Sequence, residues 1–220
     1  MATDERSERQ HFDPVAGGRS LHRDEAEVEF NRIVTFSDGV FAIAITLLVL
    51  GLTVPSGSDD LTRELLDNQG DFLAYAISFA VLGRYWLSHH RFFSALERFD
   101  GRLMALNLFY LAWVALVPFT SEVLGDFGNT TDAVVLYAIN LILVSASFYA
   151  QLVYADRAGL LKPAAQEYER HQNGPLSLVV ISVFALSIPV AFLSPLAAEL
   201  MWLATFFIGR AVTRRLVPAS

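Results

Sequence analysis

An ionisable residue lies inside the first long apolar block of the sequence. That block runs from Val34 to Leu52 and contains Asp38. A charged side chain near the centre of a membrane costs about 2.5–3.5 kcal/mol on insertion scales, so such a residue marks a functional position and needs a partner. Near the end of the second apolar block, Trp86, His89 and His90 have i, i+3, i+4 spacing and share one helical face. An indole N–H and two imidazoles can donate hydrogen bonds to a carboxylate or a hydroxyl.

These residue types predict a hydrogen-bonded cluster that holds the first helix against the second. Its predicted members are Arg32, Ser37, Asp38, Trp86, His89 and His90. The alternative for Trp86 and the two histidines is that they anchor their helix at the membrane interface, where tryptophan is enriched. The presence of Ser37 and Asp38 on the neighbouring helix favours the cluster.

One face of the first apolar block carries a stripe of aliphatic side chains. Ile43, Leu47 and Leu50 are separated by four and three positions, so they align on a helix that turns by about 100° per residue. Asp38 lies about 140° from Ile43 on this helix, and Thr46 lies about 60° to one side of the stripe. Aliphatic rings can gate a pore by dewetting, and hydroxyl rings can coordinate an ion. The stripe therefore predicts a pore-lining face, with contact to lipid or to another helix as the alternative.

Signatures of enzymes and of metal sites are absent from the sequence. The chain has no cysteine, which excludes disulfides, thiolate catalysis and cysteine-ligated metals. It has no Gly-x-Ser-x-Gly motif, no His-Glu-x-x-His motif and no phosphate-binding glycine loop. An intramembrane enzyme using Ser37 and His89 would need an oxyanion hole, which nothing in the sequence indicates. We expect no enzymatic activity, no resident metal or cofactor, and no nucleic-acid partner.

The wider composition places these residues in a membrane protein. Apolar residues make up 54% of the 220 residues, and charged residues make up 18%, below the roughly 25% usual for soluble domains. The apolar residues come in blocks close to the length of about 20 residues that a membrane-spanning helix needs. Six blocks run from Val34 to Leu52, Phe72 to Leu87, Leu103 to Leu124, Ala133 to Tyr154, Leu176 to Leu193 and Pro195 to Val212. The predicted fold is therefore an all-α membrane protein with six transmembrane helices.

Positive charges alternate along the chain, which gives the orientation because cytoplasmic loops carry an excess of Lys and Arg. The basic residues that lie before the first block, after the second and fourth blocks and at the end of the chain are Arg6, Arg9, Arg19, Arg23, Arg32, Arg91, Arg98, Arg102, Arg157, Lys162, Arg170, Arg210, Arg214 and Arg215. The remaining loops hold only Arg63, among several acidic residues. Both termini are therefore predicted to be cytoplasmic, with residues 1–30 as a disordered tail and residues 31–215 as the six-helix transmembrane domain.

Arg84, Asn107 and Asn140 are further polar residues inside the apolar blocks. We expect the long side chain of Arg84 to extend toward the cytoplasmic interface while its stem stays in apolar surroundings. A role of Arg84 in gating or in lipid binding is the alternative. Asn107 and Asn140 are expected to form hydrogen bonds between helices.

The motifs of the first two helices resemble those of the transmembrane protein 175 family. The residues that carry the resemblance are Arg32, Phe36-Ser37-Asp38, the run Gly-Val-Phe-Ala-Ile-Ala-Ile-Thr-Leu-Leu-Val-Leu that follows, and Trp86-x-x-His89-His90. The resemblance covers essentially the whole chain as a six-helix prokaryotic member. It implies a cation channel with a preference for potassium. Family members lack the Thr-Val-Gly-Tyr-Gly filter of ordinary potassium channels, and this chain lacks it as well.

The same resemblance implies a role for each motif. It implies a homotetramer in the cell membrane, with a pore that is lined by the first helix and conducts potassium. The constriction falls on Ile43, Leu47 and Leu50, and the selectivity residue is Thr46. The implied polar network consists of Arg32, Phe36, Ser37, Asp38, Trp86, His89 and His90. The alternative function is a proton leak or proton-coupled transport, in which Asp38 and the two adjacent histidines relay protons.

Overall fold

Helices make up most of the residues that the computed structural model describes. These are residues 14–52, 69–128, 130–168 and 174–203, together with residues 62, 66 and 205. The main helices are α1 (Pro14–Leu47), α2 (Gln69–Ala95), α3 (Gly101–Phe127), α4 (Thr131–Arg157), α5 (Pro163–Tyr168), α6 (Gly174–Ala191) and α7 (195–203). A 3-10 turn, Leu48–Gly51, directly follows α1. Within these ranges there is no strand, only an isolated bridge between Leu96 and Leu161, so the all-α prediction is confirmed there.

Four helical segments in the described ranges are long and apolar enough to cross a membrane. They are Val28–Gly51, Gly101–Phe127, Thr131–Arg157 and Gly174–Ala191. These segments contain most of the first, third, fourth and fifth predicted blocks. The second block lies within α2. The 27 residues of this helix include Arg84, two histidines and Arg91. Of the sixth block, the structure describes α7 and Thr205, and the rest lies outside the described residues.

α1 begins earlier than the sequence predicts. Residues 1–30 are predicted as a disordered tail, whereas α1 starts at Pro14 and runs for 34 residues. Proline suits the first helical position because its missing N–H is one of the groups left unpaired there. From Ser20 to Phe30 the sequence has no glycine or proline, so no helix breaker separates this segment from the apolar block. Residues 1–13 lie outside the described residues.

α4 is the central helix and packs between α3 and α6. Leu141, near its middle, is completely buried. Polar groups pair across its interfaces: the Tyr137 hydroxyl lies 2.9 Å from Ser78 Oγ on α2, and the Asn140 amide donates to Thr120 Oγ1 on α3 over 3.0 Å. The hydrogen bond predicted for Asn140 is therefore present. Such pairs stabilise membrane helices because an unpaired polar group is costly in lipid.

Hydrogen bonds join the loop after α2 to the loop after α4. The Lys162 N–H donates to the Ala95 carbonyl over 2.9 Å. Asp100 caps α3 by accepting a 2.8 Å bond from the Leu103 N–H, and it also accepts a 2.6 Å bond from the Tyr154 hydroxyl. These bonds, that of Tyr154 above all, lower the pKa of the Asp100 carboxyl below its ordinary value. The C-terminal end of α2, which carries the predicted site residues, is thereby held against the end of α4.

Candidate functional site

One face of α1 and the turn that follows it is buried. Ser37, Phe41, Ala44 and Leu48 lie on it, with exposed fractions of 0%, 1%, 2% and 5%. Their separations of four, three and four positions put them on one side of a helix. This side packs against α2 and α3, where the Phe41 ring lies 6.1 Å from that of Tyr110. Packing thus fixes α1 along its whole apolar part.

The opposite face of α1 is exposed in the single chain. The exposed fractions of Ile43, Leu47 and Leu50 are 61%, 43% and 73%. Thr46 is exposed beside them, and its hydroxyl donates to the Ile43 carbonyl over 2.9 Å. That bond uses the only hydroxyl proton, so the lone pairs of the Thr46 oxygen stay available to accept. The aliphatic stripe and the predicted selectivity residue therefore lie on one side, which has no partner in the described part of the chain.

Asp38 has a hydrogen-bond partner on α2. The indole N–H of Trp86 donates to Asp38 Oδ1 over 2.9 Å. Both side chains are half-buried. A hydrogen bond with an ionised acceptor is stronger than one between neutral groups. This contact joins α1 to α2 beside the buried face.

A second connection passes through α3. The Asn107 amide nitrogen donates to Ser37 Oγ over 2.9 Å, and Asn107 Oδ1 lies 2.9 Å from His89 Nε2. A carboxamide oxygen only accepts, so Nε2 of His89 carries a proton. The Ser37 hydroxyl in turn donates to the Ile33 carbonyl over 2.9 Å. Asn107 therefore ties α1 to α2 through two hydrogen bonds that are closed off from the surroundings.

Aromatic rings enclose the imidazole of His89. Its ring centre lies 4.2 Å from that of Phe93. It lies 5.6 Å from that of Tyr110, and the planes of the His89 and Tyr110 rings differ by only 4°. The Phe41 ring lies 5.7 Å away. This packing leaves His89 1% exposed and holds its Nε2 toward Asn107.

The structure leaves three predicted network members outside the hydrogen bonds. Arg32 is exposed and forms no hydrogen bond or ion pair with the described residues. It precedes Asp38 by six positions, which places it about 120° around α1 from that carboxylate. Phe36 is 55% exposed, and His90 is exposed and contacts Trp86 only through their rings, 5.8 Å apart. The hydrogen-bonded part of the network is therefore smaller than the sequence predicts.

Asn107 is the residue of the cluster that sequence reasoning did not place there. An amide inside the apolar block Leu103–Leu124 predicted a hydrogen bond between helices but not its partners. Its partners follow from where α3 crosses α1 and α2, and neither spacing nor composition specifies that crossing. In the described ranges, no group of three or more His, Asp or Glu side chains is placed to hold a metal ion.

Both sides of α1 lie in a segment that known proteins share. Residues 32–118 match the family described as "Endosomal/lysosomal potassium channel TMEM175". The chain is 37% identical over 139 residues to the Potassium channel B446_29190 of Streptomyces collinus, an alignment that covers 60% of this chain and 68% of that protein. It is 37% identical over 97 residues to the Endosomal/lysosomal proton channel TMEM175 of Bos taurus, covering 40% of this chain and 20% of that protein.

The likeness to a solved structure extends over most of the chain. The crystal structure of a lysosomal potassium-selective channel TMEM175 homolog from Chamaesiphon minutus superposes with a TM-score of 0.68 at 29% sequence identity. The superposition covers 86% of this chain and 98% of that one. The similarity therefore includes the helices that follow residue 118.

Proposed function

Because the chain belongs to the TMEM175 family, we propose that it conducts potassium ions through a pore formed by several copies of α1. The relatives named as potassium channels support this proposal. The observation that carries it is the contrast between the two sides of α1. One side is packed and hydrogen-bonded, whereas the other presents Ile43, Leu47 and Leu50 without a partner among the residues that the structure describes.

Small residues on the exposed side favour contact between copies of α1 over contact with lipid. Gly39 and Ala42 are exposed there together with Thr46, and a Cβ built on Gly39 meets nothing within 4 Å. Small residues let membrane helices approach closely, and hydroxyls form polar contacts between them. Lipid tails would gain little from such a surface.

The proposed assembly is a homotetramer with cyclic symmetry, which is a common way to surround an axis with equivalent helices. Each subunit contributes six transmembrane helices and has both termini in the cytoplasm. The loops after α2 and α4 support this orientation because they meet at one end of the molecule, where Lys162 contacts Ala95 and Arg98 contacts Gly159. Both loops are basic, as cytoplasmic loops are.

The proposed pore combines an aliphatic neck with one layer of oxygen atoms. Rings of Ile43, Leu47 and Leu50 would narrow the passage and dewet it, so that an ion crosses only after losing part of its water. The Thr46 oxygen has donated its proton to the backbone and can offer lone pairs to a cation. Potassium gives up its water more readily than sodium because it is larger, so such a neck favours potassium.

Proton conduction is a second candidate function, favoured by the vertebrate relative that is named a proton channel and by the buried His89 beside α1. In the alternative drawn from sequence, Asp38 and the histidines relay the proton. The hydrogen-bond chain from His89 passes through the Asn107 amide and ends at the Ile33 carbonyl. An amide donates at nitrogen and accepts at oxygen, so it does not hand a proton onward. This arrangement favours a cluster that anchors α1, and protons would then share the pore with other cations.

Ion flux from purified protein in liposomes tests the proposal, with potassium, sodium and proton gradients applied separately. We expect potassium flux to exceed sodium flux and Ile43→Ala to change the conductance. Ile139→Ala is the matched control, because Ile139 is 43% exposed on α4, away from the proposed pore. Flux of protons without potassium would favour the second candidate. Equal conductance in wild type and Ile43→Ala would contradict the proposed lining.

A further inference from the structure

A cleft on the side of the molecule away from α1 contains a half-buried arginine. It lies between α2, α4, α6 and Thr205. None of its lining residues belongs to α1 or to the polar cluster. Arg84 enters it from α2, and no carboxylate of the described residues forms an ion pair with Arg84. A guanidinium in such a position calls for an anion, which the described residues do not supply.

Hydroxyl groups line the cleft around Arg84. Ser88 lies one helical turn further along α2, and its hydroxyl has no hydrogen-bond partner among the described residues. The hydroxyl of Tyr85 on α2 is hydrogen-bonded to that of Ser145 on α4, and Thr205 also borders the space. A planar guanidinium with a neighbouring hydroxyl donor matches the oxygens of a phosphate group.

Apart from Ser177, the rest of the cleft is apolar. Its apolar walls are Val81 on α2, Phe148 on α4, and Leu176, Val180 and Phe184 on α6. The three residues on α6 extend over more than two helical turns, which is a length suited to part of an acyl chain. The cleft therefore has a cation at one end and an apolar wall along the rest of its length. This combination matches an amphiphilic anion better than a free ion.

The depth of the cleft agrees with the headgroup region. Leu176 lies in the first turn of α6, which begins at Gly174, and the loop before α6 is cytoplasmic in the orientation proposed above. Basic pockets between transmembrane helices on the cytoplasmic side bind anionic lipid headgroups. Arg84 is therefore within reach of the headgroups of the inner leaflet.

We propose that this cleft binds an anionic phospholipid of the cytoplasmic leaflet. Its phosphodiester would contact Arg84 and Ser88, and one acyl chain would follow Val180 and Phe184. The proposal goes beyond ion conduction and requires only the proposed orientation. A protein that conducts no ions would still bind this lipid, so the two proposals fail independently.

Native mass spectrometry of the full chain in detergent tests this inference. Wild type is titrated with phosphatidylglycerol, phosphatidylcholine, the water-soluble headgroup glycerophosphoglycerol and inorganic phosphate. We expect phosphatidylglycerol adducts at the lowest concentration, because the charge of phosphatidylcholine is neutralised by its own ammonium. Arg84→Gln should weaken phosphatidylglycerol binding by about ten-fold, since it removes charge-assisted hydrogen bonds, and Arg84→Lys should retain part of it.

The matched control is Arg157→Gln, because Arg157 is an exposed cation at the cytoplasmic end of α4. It should bind the lipid as wild type does. If Arg84→Gln elutes as a misfolded species, Val180→Trp replaces it, since a large ring on the apolar wall should also weaken the adduct. Equal binding by wild type and the folded cleft variants would overturn the proposal. So would saturation by glycerophosphoglycerol or phosphate at the same concentrations as the lipid, which would indicate a site for a free anion.

Discussion

The two faces of α1 differ in what they contact and in what holds them. The buried face packs Phe41 and Ala44 against α2 and α3, and the Asp38 and Ser37 hydrogen bonds lie beside it. The exposed face has aliphatic and small residues, and the hydroxyl of Thr46 beside them bonds to its own backbone. One side of α1 is therefore fixed by packing within the chain, and the other side is free to contact another subunit or an ion. Changes on the buried face should therefore alter stability, and changes on the exposed face should alter conduction.

The largest effect that distinguishes the faces is expected from a pair of phenylalanines on α1. Phe41→Ala should lower the free energy of unfolding by about 3 kcal/mol, because it leaves a cavity among closely packed rings. Phe36→Ala should change it by less than about 0.5 kcal/mol, since Phe36 is 55% exposed. Unfolding of the purified protein in detergent measures both values. Equal losses would mean that the faces do not differ in packing.

A smaller loss of stability is expected when the bond between α1 and α2 is removed. Trp86→Phe deletes the N–H that donates to Asp38, which should cost about 1.5 kcal/mol for a bond to a charged group. Trp113→Phe is the control, because the buried indole nitrogen of Trp113 has no hydrogen-bond partner within the described part of the chain. The same unfolding experiment compares them. A loss in the control as large as that in Trp86→Phe would attribute the effect to packing rather than to the hydrogen bond.

On the exposed face, Thr46→Val should change ion preference without changing stability. The substitution keeps the shape and removes the oxygen, an interaction of about 1 kcal/mol, which corresponds to roughly a five-fold change in the potassium-to-sodium flux ratio. Thr35→Val is the matched control, since Thr35 is also exposed on α1 and its hydroxyl bonds to the Asn31 carbonyl. Liposome flux with each ion measures the ratio. An unchanged ratio in Thr46→Val would show that this hydroxyl does not determine the ion preference.

The smallest effect on stability is expected from Asp100, which belongs to neither face of α1. The pKa of Asp100 is lowered in the folded state, chiefly by the Tyr154 hydroxyl, so its ionised form stabilises the fold at neutral pH. That contribution should be present above about pH 4, the ordinary value of an aspartate, and should disappear as the pH falls through the folded-state pKa. Unfolding of wild type and Asp100→Asn as a function of pH measures it. A stability difference that persists at low pH would exclude this origin.

Periodicity in the sequence predicted the two faces of α1 because burial and exposure alternate with the helical repeat. Ile43, Leu47 and Leu50 were grouped by spacing alone, and they share one exposed side in the structure. The family assignment, drawn from the motifs of the first two helices, is confirmed. That these three residues line a pore stays a prediction.

Features that depend on how helices cross were beyond the sequence. The role of Asn107 between Ser37 and His89 follows from the position of α3, which no local pattern encodes. Arg32 belongs to the motif by spacing but does not lie on the side of α1 that carries Asp38. It has no partner among the described residues. The polar composition of residues 1–30 predicts disorder and not the helical start at Pro14, although the segment contains good helix formers.

The claim that the exposed face of α1 lines the ion path is tested most directly by cysteine accessibility. The chain contains no cysteine, so a single introduced cysteine is the only thiol that a soft metal ion such as Ag⁺ can bind. We expect Ag⁺ to block potassium flux through Ile43→Cys and to leave wild type and the control Ile139→Cys on α4 unaffected. Unchanged flux through Ile43→Cys, or an equal block of Ile139→Cys, would contradict the account.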